Sequence, residues 1–350
     1  MNISSRKLVQ QTLEFEAPER IPRQLWALPW AERRFPEELK RIRTQYPDDI
    51  IAAPRICRNG TFVDPPERYE KGIWIDEWGC TFENAGSGTI GIARRPLIES
   101  WDQMDRLRPP RAFLNLDRDE IAAFCRSRDP FILSGTWIRP FERLQFLRTT
   151  EQTMMDLAER PDGFCELLLR IHQFNLDEAE SWARTEVDAL TVMDDWGSQA
   201  SLLIDPALWR LIFKPLYREY AAVARHFRKK IFIHSDGFIL DIIGDLLEIG
   251  YDAVNSQIFC MGVERLRPFR GKITFWGEID RQNILPYGTA AEVETAVRSV
   301  YDHLYLNGGV IAQCEFGPGA KPENVELVFR TWEALRGAAV TADSGNGIRR

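Results

Sequence analysis

Eight short apolar runs, set apart by stretches that mostly have helical periodicity, constrain this chain more than any other feature. They occupy 24–27, 49–53, 131–134, 189–193, 230–234, 253–256, 273–276 and 309–313. Each is apolar at successive rather than alternate positions, which suits parallel strands buried on both faces. Eight such strands alternating with helices predict an α/β chain closed into a (β/α)8 barrel. The 350 residues carry 11 Trp and 20 Phe, ample bulky material for one such core.

Helix punctuation agrees with that spacing. Asp205-Pro206 places a capping side chain before a proline and opens a helix towards Arg225, with a kink expected at Pro215. Thr289-Ala290-Ala291-Glu292 has the capping-box form and opens a helix to about Leu306, while Gly250 stands where a left-handed cap ends another. His172, His226 and His303 fall inside helical patterns, where surface or packing roles are expected. The segment from about 55 to 110 departs from the alternation, because 72–82 alternates like a β-hairpin between Pro-rich loops. It reads as an insertion between the second and third barrel strands, a lid or an oligomer contact. The expected organisation is one barrel domain over 1–338 and a flexible tail over 339–350.

Charge and composition exclude several classes. A net charge of −7 and a pI near 5.4 argue against nucleic acid, which demands clustered Lys and Arg. No apolar stretch approaches the roughly 20 residues of a membrane span. Six cysteines without a CxxC pair suit a reducing compartment, so the cytoplasm is expected. GxGxxG, GxxxxGK[ST], HExxH and GxSxG are all missing, which leaves nucleotide cofactors without support.

In a barrel of this kind the chemistry sits where strands end. Those positions hold Trp26, Gly135-Thr136-Trp137, Asp194-Asp195, His234-Ser235-Asp236, Asn255, Gln257, Gly277-Glu278 and Gln313-Cys314-Glu315. Imidazole, carboxylate and thiolate can all bind zinc, so His234, Asp236 and Cys314 form a candidate metal set with an open coordination position. Of the adjacent acids, Asp195 is expected to face the barrel mouth, as side chains alternate. Glu278 is either a further ligand or a buried proton donor, or else an ion-pair partner of Arg281 or Arg139. Arg139, after the third strand, suits an anionic or planar substrate together with Trp137. Trp26, Arg33, Asn255 and Gln257 complete the candidate substrate contacts.

Several stretches resemble the uroporphyrinogen decarboxylase superfamily, in particular its branch of corrinoid-dependent methylcobamide:coenzyme M methyltransferases. They are Phe141-Glu142-Arg143-Leu144, Asp194-Asp195-Trp196-Gly197-Ser198-Gln199, His234-Ser235-Asp236-Gly237, Thr274-Phe275-Trp276-Gly277-Glu278-Ile279-Asp280-Arg281-Gln282, Leu285-Pro286-Tyr287-Gly288-Thr289 and Pro322-Glu323-Asn324-Val325. The decarboxylases carry an amino-terminal Met-Arg-Gln-Ala-Gly-Arg motif. Here the stretch reads Leu28-Pro29-Trp30-Ala31-Glu32-Arg33, so only Arg33 remains to meet a substrate carboxylate. The methyltransferases are similar at His234 and Cys314, but Asp236 stands where they have a cysteine. The resemblance therefore implies a zinc-dependent methyltransferase acting on a small molecule, with a thiol acceptor or a corrinoid on a separate protein, in a homodimer. Asp195 and Glu278 would be its acid, base or further ligand. The alternative it implies is a metal-free decarboxylase or other lyase acting on a small or tetrapyrrole carboxylic acid, with Asp195 handling the proton and Arg33 and Arg139 as clamps.

Overall fold

The computed structural model describes residues 3–86, 91–136 and 138–342. Its centre is a parallel barrel of eight strands. These are β1 (Arg23–Ala27), β2 (Ile50–Ala52), β3 (Phe131–Leu133), β4 (Ala189–Met193), β5 (Lys230–His234), β6 (Ala253–Asn255), β7 (Thr274–Trp276) and β8 (Val310–Phe316). From β2 round to β8 each strand pairs with its sequence neighbour, and β8 pairs with β1. The β1–β2 seam is bridged by individual bonds. The Asp49 N–H donates to the Arg23 carbonyl at 2.9 Å, Gln24 Nε2 to the Ile50 carbonyl at 3.1 Å, and the Leu25 N–H to the Asp48 carboxylate at 2.6 Å.

All eight apolar runs carry a strand, and the first seven agree with the expected bounds to within a residue. The eighth continues three residues further, through Cys314 and Glu315 to Phe316. That extension matters because strand parity decides which side chains enter the barrel. Ile50, Phe131, Leu133, Ala189, Phe232, Ala253, Trp276 and Ile311 fill the interior, joined by Val9 and Leu13 of α1 (Ser5–Leu13). Their alternating neighbours, among them Leu25, Ile132, Leu190, Ile233, Val254, Phe275, Ala312 and Cys314, form the second apolar layer against the surrounding helices.

The principal outer helices are α2 (Pro140–Arg148), α3 (Asp162–Ala183), α4 (Pro206–His226), α5 (Leu240–Ile249), α6 (Ala290–Leu304) and α7 (Pro322–Ala342). Asp205 accepts the Ala207 N–H at 2.6 Å to start α4, which stays one helix through Pro215. Thr289 and Glu292 form the expected capping box at α6, and Gly250 ends α5 at φ +98°. His172, His226 and His303 lie in α3, α4 and α6. The last helix reaches Ala342, so the start of the expected tail is helical, and 343–350 lie outside the described residues. Among the described residues, no helix is long and apolar enough to cross a membrane.

Between β2 and β3 the expected hairpin is found as part of a three-stranded antiparallel sheet, Gly72–Ile75, Thr81–Asn84 and Ile92–Arg95. It is fastened to α2 by Arg143, which bonds Asp76 and reaches Glu77 at 3.3 Å. The same guanidinium lies 4.6 Å from the Trp78 ring centroid. A fully buried cation needs such partners, since desolvation without them is prohibitive.

Candidate active site

The loops after β4 and β5 touch through their backbones. The Gly197 N–H donates to the Asp236 carbonyl at 3.0 Å and the Phe238 N–H to the Ser198 carbonyl at 2.7 Å. A Cβ on Gly197 would strike the Asp236–Phe238 backbone, and one on Gly237 the Gly197–Ser198 backbone, so this crossing requires two glycines. The contact carries Asp195 and Asp236 to one place, where the Asp236 N–H donates to Asp195 Oδ1 at 2.8 Å. His234, at the end of β5, projects between them. Its Nε2 stands 3.7 Å from a carboxylate oxygen of Asp195 and 3.7 Å from one of Asp236. The three ligand atoms all lie within 4.8 Å of one another.

A second contact settles which nitrogen of His234 is free. Nδ1 lies 2.6 Å from Asn255 Oδ1, and the Asn255 amide is oriented by its Nδ2 donating to the Trp276 carbonyl. With Oδ1 facing the ring, Nδ1 carries the hydrogen, which leaves Nε2 as the nitrogen that faces the two carboxylates. A tetrahedral cation with bonds of about 2.1 Å separates its ligands by roughly 3.4 Å. The 3.7 Å spacings suit such an ion, and Asp236 Oδ1 has no hydrogen-bond partner among the described residues.

Asp194, the neighbour of Asp195, turns the other way. It is fully buried and accepts the N–H groups of Phe141 (3.0 Å) and Glu142 (2.8 Å) at the start of α2, and the Tyr217 hydroxyl at 2.7 Å. Burial pushes its carboxyl up to about 7, against the pull of those bonds.

Arg281 gathers three carboxylates, Asp236 of the trio and two further ones. Its Nη2 lies 2.5 Å from Asp236 Oδ2, its Nη1 2.7 Å from Glu315 Oε2, and its Nε 3.6 Å from Glu278 Oε1. Glu278 is 2% exposed, and burial, opposed by Arg281, pushes its carboxyl up to about 8. Its Oε2 has no hydrogen-bond partner among the described residues. Trp26 stands 5.3 Å from His234 between ring centroids.

Cys314 does not join His234 and Asp236. Because β8 runs on to Phe316, parity sends Gln313 and Glu315 inward and Cys314 outward into the apolar layer under the helices. It is 0% exposed, and burial drives its thiol well above the ordinary range. Asp195 takes the place in the trio that was expected for Cys314.

Among the other candidates, Asn255 has both amide ends committed to His234 and Trp276 and is a positioning group rather than a substrate contact. Arg139 pairs with Glu142 at 3.6 Å. Arg33 is half exposed and faces Glu70 at 4.0 Å. Gln257 lines a cavity beside Glu278 and Arg281, and Trp137 lies outside the described residues. Sequence reasoning gave Glu315 no role and Arg281 only that of a partner to Glu278. The inward parity of Glu315 was readable only once the length of β8 was known.

Residues 74–335 match the uroporphyrinogen decarboxylase (URO-D) family. The chain belongs to that family. Among curated proteins none matches it. A solved methyltransferase from Methanosarcina mazei superposes with TM-score 0.69 at 12% identity, covering 95% of this chain and 99% of that one. A B12-independent methionine synthase from Shewanella sp. W3-18-1 aligns over 86% of each chain at 11% identity, with TM-score 0.48. At 12% identity the first likeness is one of fold. It agrees with the URO-D barrel, whose C-terminal strand ends here hold the His234 trio and the Arg281 cluster.

Proposed function

We propose that this URO-D family protein is a metal-dependent methyltransferase in which His234, Asp195 and Asp236 hold a divalent cation, Zn²⁺ by our reading, in place of a cysteine-containing set. The reading is carried by the convergence of His234 Nε2 on two carboxylates, with Nδ1 blocked by Asn255. One imidazole and two carboxylates make a harder donor set than one with thiolate, yet remain within the range of zinc. When bound, such a cation stabilises the deprotonated form of a nucleophile at neutral pH. Asn255 fixes the His234 tautomer, and Arg281 turns Asp236 so that Oδ1 faces the ring. Trp26 supplies an aromatic wall, and Glu278, protonated at neutral pH, is the proton donor. The substrate is a small molecule, and the methyl group passes to or from a thiol or a corrinoid carried by a separate protein. The fold shared with the Methanosarcina mazei methyltransferase supports this reading.

The test is elemental analysis of purified wild type, His234→Ala, Asp195→Asn and Cys314→Ala after zinc loading. About one zinc per chain, lost in the first two variants and kept in the third, is expected. A wild type that takes up no zinc, manganese or iron overturns the reading.

A second reading, a metal-free lyase, is favoured by Glu278 alone: a buried carboxyl held up to about 8 is suited to delivering a proton to a carbanion. Its clamps would need Arg139 to leave Glu142. Decarboxylation of a small acid that survives metal removal but not Glu278→Gln would select it.

A further inference from the structure

The three-stranded sheet inserted between β2 and β3 has two apolar faces, and the chain covers one of them. Trp74, Phe82 and Ala93 are buried on the inner face, where Phe82 meets Phe146 of α2 edge-on at 5.0 Å between ring centroids. Alternation turns Ile73, Ile75 and Ile92 to the other side, where they are 62%, 64% and 58% exposed. Ile73 and Ile92 stand opposite Glu83 from either flank. Single apolar residues on a surface need no explanation, but three on one face of a small sheet mark a contact.

The charge around this patch has one sign in excess. A register shift between Thr81 and Phe82 sets Arg95 opposite Thr81 and makes Arg94 the extra residue of its strand. Both arginines are exposed, and they lie 3.5 Å and 3.9 Å from Glu83. Lys71 shares the parity of Ile73 and Ile75 and is exposed as well. The outward face thus carries three cations and one acid in a chain of net charge −7. Its size is limiting. Three strands of four residues span about 13 Å by 14 Å, or about 180 Å², at about 3.3 Å per residue and 4.8 Å between strands. A stable pair of globular proteins needs roughly 800 Å² from each partner. A second copy would also set like charges against each other. One α-helix, about 10–12 Å across, matches the face in width.

We propose that this face docks an acidic amphipathic helix of a partner protein, whose apolar stripe covers Ile73, Ile75 and Ile92 and whose carboxylates meet Lys71, Arg94 and Arg95. The insertion leaves β2 at the barrel end that also holds the His234 trio, because β2 to β5 are parallel. The docking face is independent of the metal-dependent reading. A bilayer is the poorer occupant, since anionic lipid would also meet the acidic surface of the chain beyond the sheet.

Fluorescence anisotropy of the full chain with two labelled, stapled helices of about 18 residues tests this. Both carry Leu at i, i+3, i+4 and i+7 spacing, one with Glu and the other with Lys at the remaining positions. The Glu helix is expected to bind at about 100 µM or below, and the Lys helix at least about ten-fold more weakly. Ile73→Ser with Ile75→Ser is expected to lower Glu-helix affinity at least about ten-fold. Arg94→Glu with Arg95→Glu is expected to bring the Lys helix level with the Glu helix or above it. Thermal denaturation of each variant checks that the fold is kept. No binding of the Glu helix, equal binding of the two helices by wild type, or a Glu-helix affinity unmoved in the folded isoleucine variant overturns the proposal. Co-sedimentation with phosphatidylcholine–phosphatidylserine vesicles in place of Glu-helix binding would assign the face to lipid. Self-association in sedimentation velocity that disappears in the isoleucine variant would assign it to a second copy, and either result also overturns the proposal.

Discussion

His234 Nδ1 and Asn255 Oδ1 lie 2.6 Å apart, at matched positions on adjacent strands of the barrel. One amide thus decides which imidazole nitrogen faces Asp195 and Asp236, because its other end is tied to the Trp276 carbonyl. Outer partners of this kind orient a metal-binding histidine and raise its basicity.

Asn255→Ala removes that restraint without touching a ligand. Zinc affinity is expected to fall by about 10- to 100-fold. Asn255→Asp keeps an acceptor at the same place and is expected to retain affinity. Competitive titration against a chromophoric chelator reads both.

Cys314 and His234 are expected to separate cleanly. Cys314→Ser leaves metal content unchanged but places a hydroxyl in the apolar layer, at a stability cost of about 1–3 kcal/mol. His234→Ala abolishes uptake. Elemental analysis with thermal denaturation distinguishes the two, and loss of metal in Cys314→Ser would contradict the outward orientation of the thiol.

Glu278 makes stability depend on pH in a defined direction. Its folded pKa of about 8 lies above the ordinary 4.5, so between these values the native state holds a proton that the unfolded chain has released. Stability is therefore expected to fall as pH rises through that window, by up to about 1.4 kcal/mol per unit from this group. Asp194, pushed up to about 7, acts in the same sense. Glu278→Gln should flatten the slope above pH 7, where Asp194 contributes least, and urea melts at pH 6, 7 and 8 measure it.

Arg143 is predicted to hold the inserted sheet in place. Arg143→Met strands the buried Asp76 and part-buried Glu77 without their cation, which for a broken buried pair costs about 3–5 kcal/mol. Limited proteolysis should then cut first within residues 55–110, whereas wild type resists there.

Gly197→Ala is expected to prise apart the two loops that bring Asp195 to Asp236, since its Cβ meets backbone atoms that have no rotamer to escape by. Metal affinity should drop even though no ligand has changed. A crystal structure of the variant would show the Gly197–Asp236 hydrogen bond broken.

The sequence by itself determined the barrel. A parallel strand buried on both faces must be a continuous apolar run, and helix ends need particular capping residues, so eight runs and caps such as Thr289–Glu292 and Gly250 were legible locally. The alternation rule also gave Asp195 rather than Asp194 the inward position, because both lie just past a strand whose end was correctly read. The rule also turns Cys314 outward, but it could be applied there only once three more residues of β8, paired with β1, placed the thiol in the ladder rather than in the loop beyond it. Pairing length depends on a strand more than 280 residues away in sequence, and no local pattern encodes it. Only the tertiary structure decided that Asp195 meets His234 and that Arg281 collects Asp236, Glu278 and Glu315. Those contacts join loops from different strands, and their geometry comes from barrel closure and from a glycine crossing, not from any spacing along the chain.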